Sequence, residues 1–516
     1  CCSASRADWA SANRHSCLWS RTFHILYLFI PFLSHRNRTC AERPIFKLHT
    51  KRAMAEVPPP DVPVTFTPPP AQHEGPSEDP VATDQLEDEL IAETEPTKTE
   101  ERSGLRKLLA SAIGTDLTSM AVPVTYNEPL SFLQRMCEYL QYNDLLIKAN
   151  NCEDPHIRML YVTTFAVTCF AGTDRKVKPF NPLLGETFEY VDEAKNFKFH
   201  SEQVSHHPPI GASHCETPDF IYHQTQSVKT RFLGNSLDVT PIGISYVILK
   251  KYNERYQWPN IKTIVHNLII GRMWVDHFGP CPVTVSSHTT NQPIDIKGDL
   301  RYKECGWFGR GWHEIEGAIL GAKGVPVFEL SGKWTEQVSA TPTAAGKGAA
   351  DANSGLSFPS TSKASQVWKH TNGLTTDPTF IKHDWTDVTV GLVQLDDTIR
   401  KQIPLTDARL REDRYWLQLG EIKKASSAKH TLEEAQRARK RNRDAAGIKE
   451  WTARYFEVPI NPDGTRAKNA LGDDLWISKG NYWTEREARI AAYAASGKMA
   501  LLDDANKQWR LAKDWK

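Results

Sequence analysis

Short runs of alternating apolar and polar residues dominate the middle of the chain, from Thr187 to Trp334. Such runs predict β-strands, because successive side chains of a strand point to opposite faces of a sheet. The clearest runs are Gln226–Leu233, Val239–Leu249, Cys281–Ser287 and Glu314–Leu320. Many antiparallel strands in series predict a large barrel, and a barrel of well over about eight strands has room for a ligand inside.

Helical spacing of apolar residues precedes this region. Pro129 suits the first position of a helix, and Asp154 suits the N-cap of a second one. Residues Ile157 to Phe170 are apolar on nearly all sides, which predicts a deeply buried helix. The buried stripe predicted for the first helix consists of Leu130, Leu133, Cys137 and Leu140.

Both the N-terminal region and one internal stretch are predicted to lie outside the fold. Residues 1–53 carry nine Lys/Arg and two Asp/Glu, a net charge of +7, and precede the first methionine, so we expect an upstream translation or fragment artefact. Residues 54–102 form an acidic, Pro-rich tail, predicted to be disordered. Residues 338–365 are rich in Ala, Gly, Ser and Thr and predict a disordered surface insert.

Composition narrows the class of protein. Of 516 residues, 40% are hydrophobic and 24% charged, with a net charge of +1, which is typical of a soluble globular protein and gives no bias toward nucleic acid. The ten cysteines include no Cys-x-x-Cys motif, which favours a reduced, cytoplasmic compartment. The apolar run from Phe23 to Leu33 is too short to span a bilayer.

One polar stretch stands out at the end of a predicted strand. Phe197–His200 alternates, and Glu202–Pro209 then reads Glu-Gln-Val-Ser-His-His-Pro-Pro. The prolines cannot donate to a ladder, so His206 and His207 are predicted to lie at a strand end, where a bend lets both rings face one ligand. From these residues alone, a polar turn with incidental histidines is an equal alternative.

A basic helix is predicted at 425–445. Lys429, Glu433 and Arg437 are spaced i, i+4 and i+8, and therefore share one helix face. Most such triplets are solvated salt-bridge ladders. The alternative is an anion site, in which Arg437 forks onto phosphate oxygens while Glu433 orients Lys429.

Three segments together resemble the oxysterol-binding protein family. They are the Glu202–Pro209 stretch, Lys178-Pro-Phe-Asn-Pro-Leu-Leu-Gly-Glu186 and Lys429-His-Thr-Leu-Glu-Glu-Ala-Gln-Arg437, in the family's order. The similarity runs from about Gly104 to the C-terminus, interrupted by one insert. It implies a single lipid-binding domain at 103–516, mainly β with α: a large antiparallel β-barrel enclosing a lipid tunnel, an N-terminal lid, internal helices and a C-terminal helical subdomain.

The resemblance also implies a function and a site. Family members hold phosphatidylinositol 4-phosphate with its head group at a basic tunnel mouth, and many alternatively hold sterol and exchange the two between membranes. The matching head-group residues are Lys178, Asn181, His206, His207, Lys429, Glu433 and Arg437. Within the lid region 103–125, the lid residues are Leu105, Leu108, Leu109 and Ile113. The alternative for this helical spacing is an ordinary core-facing helix, but the position of the segment favours the lid.

No cofactor, metal or chemical step is expected. Peripheral contact with endoplasmic reticulum, Golgi or plasma membrane is the expected localisation. Histidines beside a phosphate should have raised pKa values. Two alternatives stay open: a phosphoinositide sensor or scaffold that does not transport lipid, and a metal-dependent phosphatase using His206, His207 and Glu202. The second lacks metal-ligand spacing of the His-Glu-x-x-His kind.

Overall fold

The computed structural model describes residues 123–175, 177–448 and 451–496. The predictions for residues 1–53 and 54–102 lie outside this part of the chain. So do most of the lid region 103–125 and the lid residues Leu105, Leu108, Leu109 and Ile113.

A fourteen-stranded antiparallel sheet forms most of the molecule. Its strands are β3 (Thr187–Asp192), β4 (Phe197–His206), β5 (Pro209–Glu216), β6 (Phe220–Phe232), β7 (Leu237–Ile242), β8 (Ile244–Leu249), β9 (Glu254–Pro259), β10 (Lys262–His266), β11 (Trp274–Ser287), β12 (Pro293–Tyr302), β13 (Glu314–Leu320), β14 (Pro326–Lys333), β15 (Gln337–Pro342) and β18 (Ser365–Lys369). Small two-stranded pairs are β1 (Asn127–Ser131) with β2 (Lys178–Phe180), β16 (Ala350–Asp351) with β17 (Leu356–Ser357), and β19 (Phe456–Glu457) with β20 (Ile477–Ser478).

The strands follow one another as hairpins, with a branch in the middle. The path runs from β18 through β15, β14, β13, β12, β11, β10, β7, β6, β5 and β4 to β3. The first half of β6 pairs with β8 and its second half with β7, while β11 divides in the same way between β10 and β9. The two long strands therefore flank two pairs of shorter strands, β7 with β10 and β8 with β9.

Gly243 marks this branch, inside the stretch that the alternation pattern predicted as one strand, Val239–Leu249. The structure has two strands there. Gly243 adopts a φ of +119°, and a Cβ at this position would lie 2.1 Å from the carbonyl oxygen of Thr225. Only glycine fits so close to a neighbouring backbone, so the strand breaks here and changes partner.

Three helices precede most of the sheet: α1 (Phe132–Glu138), α2 (Asp144–Asn151) and α3 (Pro155–Thr168). Asp154 caps α3 by accepting from the N–H groups of His156 and Ile157, and every residue from Ile157 to Thr168 is buried. The main apolar core contains residues of all three helices together with side chains from both ends of the strand path, such as Phe188 and Val367. The helices thus share one apolar core with strands from both ends of the path, as predicted for internal helices.

The predicted helix start at Pro129 is wrong. Pro129 lies in strand β1, which pairs in parallel with β2, and the helix begins at Phe132. Ser131 is the N-cap residue, and its N–H donates to Oε1 of Gln134 at 2.8 Å. A proline fits the first turn of a helix and an edge strand equally well, and strand pairing decided between them.

The predicted disorder of residues 338–365 is also wrong. This stretch contains β15, β16, β17 and the start of β18. Phe358 is fully buried, with its ring centroid 4.6 Å from that of Phe328, and Asp351 accepts a hydrogen bond from the Tyr161 hydroxyl at 3.0 Å. Composition averages over the segment, whereas a few well-placed apolar residues are enough to anchor it.

The C-terminal part is helical, as predicted. Its helices are α4 (Asp387–Val393), α5 (Asp397–Gln402), α6 (Glu412–Gln418), α7 (Ile422–Ala445) and α8 (Tyr482–Ser496). The predicted basic helix, 425–445, is α7, which starts three residues earlier than expected. Among the described residues, no helix is both long and apolar enough to cross a bilayer.

Candidate functional site

The two histidines lie at the turn of the β4–β5 hairpin. His206 ends β4, Pro209 begins β5, and these two residues are paired across the ladder. A register shift between Gln203 and Ser205 interrupts the strict alternation just before the turn. The rings of His206 and His207 are 4.6 Å apart between centroids. The prediction that both histidines sit together at a strand end is confirmed.

The Lys178–Glu186 segment is held by a buried carboxylate. Glu186 accepts hydrogen bonds from the Leu183 N–H at 2.8 Å and from Ser131 Oγ at 2.5 Å. Arg411 donates to the same carboxylate at 2.9 Å and to the carbonyl oxygen of Asn181 at 2.8 Å. The loop backbone is therefore held by buried hydrogen bonds. The side chain of Asn181, in contrast, is exposed and accepts a hydrogen bond from Lys178 Nζ at 3.1 Å.

Helix α7 places its own charges beside this loop. Lys429 forms an ion pair with Glu433, with 3.0 Å between Nζ and Oε1. Burial and the positive charge of Lys429 together lower the pKa of Lys178 to about 8, although Glu433 opposes the fall. Lys178, Asn181, Lys429 and Glu433 thus lie together, although Lys178 and Lys429 are about 250 residues apart in sequence.

Gln436 joins all three segments of the site. Its amide nitrogen donates to Nε2 of His206 at 2.7 Å, and its amide oxygen accepts from the Leu184 N–H at 2.8 Å. One side chain on α7 therefore fixes both the hairpin turn and the loop. Sequence reasoning included Gln436 in the third matching segment but assigned it no role; its place one turn after Glu433 was the available signal.

The protein surroundings favour the neutral form of both histidines. The pKa of His206 is lowered to about 4, first by burial and then by the charges of His207 and Arg443. Burial and Lys440 lower the pKa of His207. The sequence-based expectation of raised pKa values concerned histidines beside a phosphate, whereas the protein itself acts in the opposite direction.

These contacts define the face of α7 that points at the hairpin and loop. Its residues are Lys429, Glu433, Gln436, Lys440 and Arg443. Arg437 lies to one side of this face and forms an ion pair with Glu434. Of the predicted stripe Lys429–Glu433–Arg437, the first two residues therefore form an ion pair with each other. Arg437 instead pairs with Glu434 on the same helix.

Comparison with known proteins identifies the family to which this chain belongs. The family model described as oxysterol-binding protein matches residues 104–487. Oxysterol-binding protein-related protein 3C of Arabidopsis thaliana is 36% identical over 415 residues, covering 80% of this chain and 85% of that protein. The chain belongs to the oxysterol-binding protein family.

Other family members share the same region. Oxysterol-binding protein-related protein 6 of Homo sapiens is 34% identical over 385 residues, which cover 74% of this chain and 38% of that longer protein. Among solved structures, the Osh1 ORD domain in complex with cholesterol matches with a TM-score of 0.64 and 31% identity, covering 77% of this chain and 90% of that one. The Osh3 ORD in complex with PI(4)P from Saccharomyces cerevisiae matches with a TM-score of 0.59 and 27% identity, covering 77% and 95%.

These matches confirm the predicted fold class, a large antiparallel β-barrel with several helices that is a lipid-binding domain of the family. Glu202, the first residue of the family's signature stretch, contacts the C-terminal segment. Its carboxylate accepts from the N–H groups of Arg454 and Tyr455, both at 2.8 Å, so it secures the C-terminal segment to β4. Within the described ranges, no group of three or more His, Cys, Asp or Glu side chains has an arrangement that holds a metal ion.

Proposed function

We propose that this protein binds phosphatidylinositol 4-phosphate and transfers it between membranes. The head group contacts Lys178, Asn181, His206, His207, Lys429, Glu433 and Arg437. The observation that supports this most strongly is the convergence of the loop, the hairpin turn and α7 through Gln436.

Charge explains why a phosphate suits this place. Lys178 and Lys429 are close enough for one to lower the pKa of the other, and Lys440 and Arg443 act on the histidines in the same way. A phosphomonoester brings about −1.5 to −2 charges near neutral pH, which relieves this repulsion. It also favours a charged imidazole on His207, whereas a neutral His206, which accepts from Gln436 at Nε2, donates to the phosphate from Nδ1.

The family supplies the second cargo. The similar Osh1 ORD domain was solved with cholesterol and the Osh3 ORD with PI(4)P. We propose sterol as the lipid exchanged for the phosphoinositide in this protein, at membranes of the endoplasmic reticulum, Golgi or plasma membrane. Transport needs no bond to be made or broken, so the protein acts as a carrier and not as an enzyme.

The histidine pair gives the direct test. Replacing His206 and His207 by Ala removes two charge-assisted contacts to the phosphate, worth on the order of 3–6 kcal/mol together. We expect extraction of phosphatidylinositol 4-phosphate from liposomes to be lost, measured by sedimentation of the vesicles. His288→Ala, an exposed histidine on the barrel, is the control. Undiminished extraction by a folded double variant would refute the assignment.

A second assay separates carrier, sensor and hydrolase. Labelled phosphatidylinositol 4-phosphate in donor vesicles should appear in acceptor vesicles, without release of inorganic phosphate, in the presence of either divalent metal or chelator. Binding without movement of label would make the protein a sensor or scaffold. Metal-dependent phosphate release over many turnovers, lost on replacing His206, would make it a phosphatase.

A further inference from the structure

Three loops at one end of the sheet form a continuous surface. They are the β6–β7 turn (233–236), the β10–β11 turn (267–273) and the β12–β13 loop (303–313). Asn235 joins the first two, because its side-chain oxygen accepts from the N–H groups of Ile269 and Ile270 at 3.0 and 2.9 Å. Trp274 and Trp312, with ring centroids 6.3 Å apart, join the second to the third.

Each loop presents a large apolar side chain to solvent. We call this set the apolar rim: Leu233, Ile270, Phe308 and Trp312, with relative exposures of 47%, 68%, 103% and 44%. Single exposed apolar residues are ordinary on protein surfaces. Four at the tips of three loops that contact one another form a feature typical of interaction sites.

The loop holds Phe308 outward by its own structure. Phe308 has a φ of +61°, which is unusual for a bulky residue. The loop closes around it through hydrogen bonds from Gly306 N to Arg310 O at 2.7 Å and from Cys305 N to Asp276 Oδ2 at 2.9 Å. A conformation that is held in place while it exposes a whole aromatic ring points to an apolar environment outside the protein.

Positive charge surrounds the apolar rim. Arg231, Arg272 and Arg310 are exposed on or next to the three loops, and Glu304 is the exposed acidic residue on the third loop. Aromatic and aliphatic tips flanked by arginines match the boundary between lipid head groups and acyl chains. Separate projecting tips suit a deformable bilayer better than a protein partner, which needs an interface of roughly 800 Å² on each side.

The apolar rim is also connected to the candidate head-group site. Phe232, next to Leu233, is buried with Tyr126, Leu268 and Ile269. Tyr126 belongs to a short 3-10 helix, Val124–Tyr126. The other end of that helix, Val124, packs against Phe180 and Ala425, which are close in sequence to Lys178 and Lys429. One three-residue turn thus links the two regions.

We propose that the apolar rim is the surface by which this protein docks onto an anionic membrane. Phe308 and Ile270 enter the apolar layer below the head groups, and Arg272 and Arg310 contact lipid phosphates. This proposal rests on the proposed function only in naming the lipid that is delivered after docking. Docking onto the membrane does not require a bound lipid.

Vesicle flotation tests the apolar rim. The vesicles contain phosphatidylcholine with or without phosphatidylserine, and no phosphoinositide. For Phe308→Ser with Ile270→Ser, we expect the partition coefficient on anionic vesicles to fall roughly tenfold or more, because two apolar side chains no longer leave water. Ile460→Ser with Leu471→Ser removes a similarly exposed pair from the C-terminal segment and should float like the parent. Arg272→Gln with Arg310→Gln should weaken binding to anionic vesicles alone.

A second measurement keeps docking and cargo binding apart. The rim variant should bind water-soluble, short-chain phosphatidylinositol 4-phosphate with the parent affinity, which also shows that it is folded. A parent that floats through its apolar rim but fails to bind this ligand would refute the proposed function and leave the docking surface standing. Unchanged flotation of the rim variant overturns the docking proposal. The docking proposal is also overturned if the rim variant floats like the parent but loses a self-association that light scattering detects in the parent.

Discussion

At the scale of single residues, an amide side chain contacts two segments of the candidate head-group site. Gln436 donates to His206 and accepts from the Leu184 N–H, so it orients the imidazole and the loop at once. A neutral His206 that accepts at Nε2 carries its proton on Nδ1, which has no hydrogen-bond partner in the described part of the protein. That N–H is the group left to donate to a phosphate.

Gln436→Leu should therefore weaken binding without changing the charge of the site. Losing the two hydrogen bonds leaves buried polar groups unpaired, at a cost of about 1–3 kcal/mol. We expect the affinity for short-chain phosphatidylinositol 4-phosphate, measured by calorimetry, to fall roughly tenfold or more. Asn442→Leu, an exposed change on the same helix, is the control. Equal affinities for the two variants would remove Gln436 from the site.

We predict that Lys178 makes the proposed phosphoinositide binding sensitive to alkaline pH. Burial and the charge of Lys429 lower its pKa to about 8. Because the phosphate binds the protonated amine, affinity should fall as the pH rises above about 8, by at most tenfold per pH unit for one proton. Lys178→Arg keeps its charge throughout this range. We expect its affinity profile from about pH 7 to 9.5 to be flatter than that of the parent; superimposable profiles would exclude Lys178 as the titrating group.

At the scale of elements, the β15–β18 region (337–369) is part of the barrel's apolar core. Val338 and Ala340 of β15 and Phe358 are all fully buried, and Phe358 packs against Phe328 of β14. Tyr161 of α3 holds Asp351 and Ser354 from inside. The segment thus closes over the internal helix α3.

Phe358→Ala tests this directly. Removing a buried phenyl ring typically costs about 3–5 kcal/mol through lost burial and the cavity left behind. We expect the midpoint of urea unfolding to fall clearly. Ser362→Ala, an exposed residue four positions away, should leave it unchanged. A parental midpoint for Phe358→Ala would restore the sequence-based interpretation of a disordered insert.

At the scale of the whole molecule, the C-terminal segment 451–496 contacts the first of a row of three histidines. His200, His214 and His223 are paired directly across β4, β5 and β6. His200 stacks on Tyr482 of α8 with 4.6 Å between ring centroids, and its Nε2 is 3.2 Å from Ser478 Oγ. Burial lowers the pKa of all three, to about 4 for His214.

We expect these histidines to make the folded state sensitive to acid. A lowered pKa means that the folded protein binds fewer protons than the unfolded chain, so stability falls as the pH drops from about 6.5 toward 4. Glu202, Glu186 and Asp276 act in the opposite sense, since burial raises their pKa values, to about 7 for Glu202 and about 6 for Asp276. More groups act in the first sense, because burial also lowers the pKa values of His206 and His277. We expect the free energy of unfolding to be lower at pH 5 than at pH 7.

His223→Phe should reduce this pH dependence while keeping the ring stacked on Tyr246. Removing one titrating group lowers the slope by at most about 1.4 kcal/mol per pH unit. Urea unfolding at pH 7 and pH 5 measures the change, with His430→Phe on α7 as the control. Identical slopes for parent and variant would show that the row of histidines does not govern acid stability.

Local signals in the chain predicted much of this protein. Alternation indicated strands, Asp154 before Pro155 located the start of α3, and the two prolines after His207 placed the histidines at a hairpin turn. Each of these depends on backbone geometry within a few residues, which is what a sequence pattern records. The three matching segments also named most members of the candidate site.

Tertiary structure decided what depends on distant partners. Pro129 lies in a strand because β2, about fifty residues later, pairs with it. The break at Gly243 follows from the approach of the Thr225 carbonyl, and Phe358 is core because Phe328 lies beside it. The bridging role of Gln436 and the contiguity of the apolar rim arise in the same way. Long-range packing brings together residues that are far apart in the chain, and the local sequence around each of them does not indicate the contact.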